Sequence, residues 1–305
     1  MEKVDSYQPV GPNDKTVSIL QAFHTHLPAD GRDNFLKHLQ SLQTNQQLYD
    51  HAQLLMNGLV APLRSLRSTP SISPRLGMED SIENIASEST GPMVRESRLK
   101  SECLTRDGSR CVVTGYFDED SLDPSSTRTT VYTECVHIIP FALASWRMDS
   151  EEYAKNIIWT NLLRYFPILE LINFKREDIN NAKNAMTMSG NLHRHFGRFD
   201  FSFEATAQPN RYRIQNYRPR MATELPQTVT FSSYDQRYEL PSPDLLKVHA
   251  IIARIFHVCG AAEQIEKALC DLGAHRLLAR DGSTDISSML AATTLGVLGS
   301  RAGNI

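Results

Sequence analysis

Two short segments hold the residue types that acid–base and metal chemistry need. The first is Glu134-Cys135-Val136-His137-Ile138-Ile139-Pro140; the second runs from Asn184-Ala185 through Gly190-Asn191-Leu192-His193 to Phe196. An imidazole titrates near neutral pH and can also bind a metal ion, which makes His137 a residue to follow. A second imidazole, His193, suits a divalent ion. The β-type run before His137 is stopped by Pro140, which cannot continue a central ladder, so His137 is expected near a strand end beside a turn. His193 follows Asn184 by nine positions. The pattern over 181–196 reads as helical, which puts His193 more than two turns beyond an Asn184 that caps or precedes the helix. A strand histidine, a loop asparagine and a helix histidine then converge on one ion.

The elements that must position these groups fall into regions of distinct texture. Residues 1–67 read as an N-terminal helical region, because Ile19, Leu20 and Phe23, then Phe35, Leu36, Leu39 and Leu42, then Leu48, Leu54, Leu55 and Leu59 recur at helical spacing. Asp30 and Asp33 are candidate caps of the second helix. Residues 68–96 are Ser/Pro-rich, then polar and acidic, and read as a flexible linker. Residues 97–220 mix strand-type runs at 111–114, 129–139, 199–204 and 212–217 with helical patterns at 151–166 and 181–196. Residues 221–305 return to helix, opening at Pro243-Asp244 and restarting over 261–272 after Gly260. The fold class is α+β.

Composition excludes several classes. The formal net charge of −3 does not mark a dedicated nucleic-acid binder, and the basic residues that do cluster are Arg194, Arg198, Arg211, Arg213, Arg218 and Arg220. Five cysteines without paired spacing argue against a disulfide framework and a zinc finger. The N-terminus has no apolar signal core, and no apolar run approaches the roughly 20 residues of a membrane span. The expectation is a soluble intracellular protein, in cytoplasm or nucleus, with no membrane partner.

Taken in order, Arg110-Cys111-Val112-Val113-Thr114-Gly115, Cys135-Val136-His137-Ile138-Ile139-Pro140-Phe141, Asn184-Ala185, Leu192-His193 and Phe196-Gly197-Arg198-Phe199 resemble the HNH family of ββα-metal endonucleases. The likeness is nearest to the HNH-like proteins of filamentous fungi. The resemblance implies that 97–220 is an HNH-type domain and that the protein hydrolyses DNA phosphodiester bonds. It implies His137 as general base and His193 as ligand of a divalent ion, Mg²⁺ or Zn²⁺. Asn184 would support the loop or join the metal site, and Arg198 would contact phosphate.

The sequence departs from that pattern at Val136, where active members of the family often carry a metal ligand and an apolar side chain coordinates nothing. Glu134 falls on the opposite strand face from His137, and Cys135 is a soft ligand. His195 lies about 200° around the helix from His193. The stretch between His137 and Asn184 is long for such a module. Two other readings stay open: a repurposed scaffold acting on a small molecule in a secondary-metabolite pathway, and a non-catalytic binding protein.

Overall fold

The computed structural model describes residues 1–12, 14–65, 92–123, 125–144, 149–221 and 225–260. The linker reading over 68–91, the helix expected at 261–272 and Trp146 lie outside them. The helices are α1 (Glu2–Asp5), α2 (Thr16–His26), α3 (Ala29–Ser41), α4 (Asn45–Leu55), α5 (Ala61–Ser65), α6 (Pro92–Arg106), α7 (Asp149–Tyr165), α8 (Ile168–Leu171), α9 (Gly190–Gly197) and α10 (Pro243–Val258). The strands are β1 (Phe117–Asp118), β2 (Thr130–Val131), β3 (Thr133–His137), β4 (Ala185–Ser189), β5 (Phe201–Ala205), β6 (Arg211–Asn216) and β7 (Thr228–Thr230). The mixture is α+β. No described helix is long and apolar enough to cross a membrane.

Two units divide the chain. One takes residues 1–69, 145–174 and 251–305; the other takes 70–144 and 175–250. In the first, the expected N-terminal helices form as α2, α3 and α4. Thr44 starts α4 with a capping box: its side chain accepts from the Gln47 N–H, and Gln47 Oε1 accepts from the Thr44 N–H. Neither Asp30 nor Asp33 caps α3. Pro28 is its N-cap, and Asp30 lies in the first turn, where a carboxylate favours the helix dipole. Phe23 and Phe35 pack on Tyr165 of α7 at centroid distances of 6.2 and 6.4 Å. Gly31 permits that approach, since a Cβ there would come within 1.9 Å of the Tyr165 carbonyl oxygen. This packing gathers 145–174 with the N-terminal helices rather than with the central strands.

In the second unit, β3 and β4 pair antiparallel, with Glu134 opposite Met188 and His137 opposite Ala185. Strands β5, β6 and β7 form a separate antiparallel sheet; the strand-type runs at 199–204 and 212–217 fall on β5 and β6, while β7 lies in a stretch read as helical. The helix expected over 181–196 does not form as one element. Residues 182–184 make a 3₁₀ turn, 185–189 are β4, and only 190–197 are helical. Ala and Met favour helix, but all five residues of β4 are buried against β3 and α6, and that pairing overrides propensity. Ser189 then caps α9 by accepting from the Leu192 N–H. No strand forms over 111–114 either. That stretch is a turn closed by Gly115 in the left-handed region (φ 73°), with one bridge between Arg110 and Phe117. Helix α6 opens at Pro92, inside the stretch read as linker.

Candidate active site

A buried ion pair fixes the platform behind the hairpin. Arg106 is fully buried and its Nε and Nη2 meet both oxygens of Asp107 (2.7 and 3.0 Å). Its remaining N–H groups donate to the carbonyls of Ala182, Ala185 and Glu239. Asp107 in turn accepts from the Thr187 N–H at 2.9 Å. One rigid guanidinium therefore ties the end of α6 to β4 and to the turn before it.

That turn delivers Asn184, which is fully buried. Its Oδ1 accepts from the Ile139 N–H (2.8 Å), and its Nδ2 donates to the carbonyls of Ile139 (3.0 Å) and Ile179 (2.9 Å). Its own carbonyl accepts from the Ile138 N–H at 2.7 Å. The residue precedes a strand and caps no helix. Its amide is committed to the backbone just after His137, which it clamps in place.

His137 ends β3, as the proline two residues beyond Ile138 implied. It is half-buried, 5.7 Å from the Phe141 ring, and its Nε2 lies 2.9 Å from Oδ1 of Asn180. An amide oxygen facing Nε2 favours the tautomer that carries its proton on that nitrogen. Asn180 also lines a groove of about 510 Å³ with Arg98, Glu102, Glu177, Arg237 and Tyr238.

His193 stands in the first turn of α9, not two turns along a helix. Its Nδ1 lies 2.5 Å from Oε2 of Glu134. Gly190 makes room for this carboxylate, because a Cβ there would lie 3.0 Å from Glu134 Oε1. The hydrogen bond to His193 outweighs partial burial and holds the Glu134 carboxyl below its usual range, with Arg194 and Lys100 adding to the effect. Val136 is buried and pairs with Met186, offering no donor. Cys135 packs inward, its sulfur 3.9 Å from that of Cys103.

The structure thus brings His137 and Asn184 to one end of the β3–β4 ladder, and Glu134 and His193 to a point three residues back along β3. That is about 10 Å of strand. Arg198 is exposed beyond the C-terminal end of α9, with no ion pair among the described residues. His195 turns away to Asp200 (2.7 Å), whose other oxygen accepts from Arg218 Nε (2.8 Å). Of the basic cluster, Arg213 and Arg218 are thereby paired, with Glu204 and Asp200.

Sequence reasoning missed Glu134 as partner of His193 and Asn180 as partner of His137. Strand alternation did put Glu134 on the face away from His137, and α9 covers that face. No signal marked Asn180, which reaches His137 from 43 positions away.

Among the described residues no group of three or more His, Cys, Asp or Glu side chains is placed to hold a metal. The Glu134–His193 pair offers one hard oxygen and one imidazole nitrogen. Such a pair fits Mg²⁺, Mn²⁺ or Zn²⁺ where water and phosphate oxygens complete the sphere.

The β3–β4 hairpin is followed directly by α9, and each carries a histidine, His137 and His193. Residues 111–204 match the model of the HNH endonuclease family, a stretch that runs from the turn at Cys111 through β3, β4 and α9 into β5. HNH endonucleases as a class use a divalent ion. No curated protein and no solved structure matches the chain.

Proposed function

We propose that the protein is an HNH-type endonuclease that hydrolyses DNA phosphodiester bonds. The observation that carries this reading is that the HNH match falls on the segment where His137 ends β3 and His193 of α9 meets Glu134 of β3. In this reading Asn180 keeps the proton on Nε2 of His137, and Nδ1 takes a proton from water as the water oxygen bonds to phosphorus. The P–O bond to the leaving oxygen breaks in the same displacement. Asn184 keeps the loop after His137 from shifting, which matters because small misplacements cost large factors in rate. Glu134 and His193, about 10 Å back along β3 and on its other face, would hold a divalent ion that offsets phosphate charge on the bound strand at their own end of the hairpin. Arg198, exposed and without a carboxylate partner among the described residues, is the candidate phosphate contact.

The test is nicking of supercoiled plasmid with Mg²⁺, Mn²⁺ or Zn²⁺. Metal-dependent cutting is expected, reduced about 10²–10⁴-fold in His137→Ala. Intact plasmid with all three ions would sink the proposal.

A further inference from the structure

Away from the histidines, four side chains of the mixed unit form an alternating stack. The Arg128 guanidinium carbon lies 4.6 Å from the Phe117 ring centroid, Arg110 lies 4.6 Å from the same ring, and Arg110 also lies 4.8 Å from the Tyr234 ring. Order runs Arg128, Phe117, Arg110, Tyr234. Three separate parts of the chain supply them: the loop before β2, the turn into β1, and the segment after β7.

Several features hold this stack in place. The Tyr234 N–H donates to the Arg106 carbonyl at 2.7 Å, anchoring it to the buried Arg106–Asp107 platform. Gly108 sits so close that a Cβ would come within 2.6 Å of Tyr234 Cδ2, and its φ of 69° is a conformation glycine adopts without strain. Yet Tyr234 is 60% exposed. The strip is thus a pinned aromatic with much of its surface open to solvent, which a hydrophobic core would not leave so.

Charge points the same way. Neither Arg110 nor Arg128 has a carboxylate partner among the described residues. Nearby acids are engaged elsewhere: Asp235 with Arg237, and Asp118 with Thr133 and Ser121. Glu119 and Asp120, in the short turn after β1, are exposed. Stacking occupies the flat face of a guanidinium; Arg110 Nε donates to the Gly108 carbonyl (3.3 Å), and its remaining N–H groups, with those of Arg128, are left for phosphate oxygens.

We propose that the Arg128–Phe117–Arg110–Tyr234 stack is a docking strip for single-stranded nucleic acid, with phosphates on the two arginine edges and an unpaired base on the open surface of Tyr234. Every base has a π-face, so this contact tolerates sequence but requires the base to be out of a duplex. The choice of nucleic acid as partner rests on the nuclease reading; the stack itself does not.

The experiment is fluorescence anisotropy of a labelled single-stranded oligonucleotide and its duplex, in EDTA, on full-length protein carrying His137→Ala so that nothing is cut. Tighter binding of the single strand is expected. Tyr234→Leu, which keeps bulk and removes the π-face, should weaken it about 5- to 50-fold. Arg128→Gln should lower the slope of log K against log salt by about 0.7, one phosphate of a single strand. Unchanged circular dichroism and melting temperature would confirm that both variants fold. Equal binding by Tyr234→Leu, or a preference for duplex, would overturn the strip. Plasmid nicking by the unsubstituted protein separates the two ideas: nicking with an unaffected Tyr234→Leu removes the strip alone, while strip-dependent binding without nicking removes the nuclease reading alone.

Discussion

Nδ1 of His193 and Oε2 of Glu134 stand 2.5 Å apart, joining the first turn of α9 to β3. The carboxyl is held below its usual range chiefly by that bond, so the folded state prefers Glu134 ionised. A depressed carboxyl stabilises the fold above its ordinary value of 4.5, and the contribution is lost as pH falls through the lower folded value. Glu134 is 38% exposed, so screening limits the effect to no more than about 1 kcal/mol. Glu134→Gln should therefore change urea midpoints little at pH 3 and lower them modestly at pH 7. The same variant should weaken Mn²⁺ binding measured by calorimetry. Undiminished Mn²⁺ affinity would show that the pair is a helix-to-strand tie and nothing more.

Asn184 is where loss of one side chain should be costly. Its amide satisfies one buried N–H and two buried carbonyls flanking the His137 loop. Orphaning such groups costs about 1–3 kcal/mol each, although the two carbonyls retain some capacity elsewhere. Asn184→Ala should lower the unfolding free energy by about 3 kcal/mol in denaturant titrations. Asn184→Asp should be no better, because it sets a carboxylate against the carbonyls of Ile139 and Ile179. A loss under about 1 kcal/mol would mean the loop is held by other contacts.

How much of this was legible beforehand depended on whether the signal was local. The strand end at His137 was readable because Pro140 stops a ladder whatever surrounds it. The helices α2, α3 and α4 were readable because apolar spacing is a property of each segment alone. Residues 181–196 misled because Ala185, Met186 and Met188 carry helical propensity, and only pairing with β3 makes them a strand. That strand shortened the helix and brought His193 to its first turn, opposite Glu134. The Asn180–His137 and Asp107–Thr187 contacts span 43 and 80 positions, and no short-range pattern encodes them.

The Arg106–Asp107 pair should prove sensitive in a particular way. Both side chains are buried, at 0% and 2% exposure, and the guanidinium spends its N–H groups on three carbonyls as well. Removing one charge leaves the other buried without a partner, which costs about 3–5 kcal/mol. Arg106→Met should fall in that range, measured by urea unfolding. Arg106→Lys should recover only part, since an ammonium cannot reproduce the planar fork. Full stability in Arg106→Lys would contradict the bidentate account.

His51 offers a separate test, in the helical unit. The ring is 4% exposed, neither nitrogen has a hydrogen-bond partner, and the His38 ring lies 4.4 Å away. Burial above all, then His38 and Arg164, pushes its pKa down to about 3 from 6.5. A depressed histidine is neutral in the folded state and takes up a proton on unfolding below pH 6.5. Stability should thus fall as pH drops from 6.5 toward 3, by on the order of 4 kcal/mol across the whole interval. His51→Phe, which keeps a flat ring against Phe35 and has nothing to protonate, should flatten that decline and add stability at neutral pH by removing two unpaired polar atoms. Urea titrations of both proteins from pH 7 to pH 4 make the comparison. Parallel pH profiles would show that His51 is protonated as readily in the folded chain as in the unfolded one, and would place the acid sensitivity elsewhere.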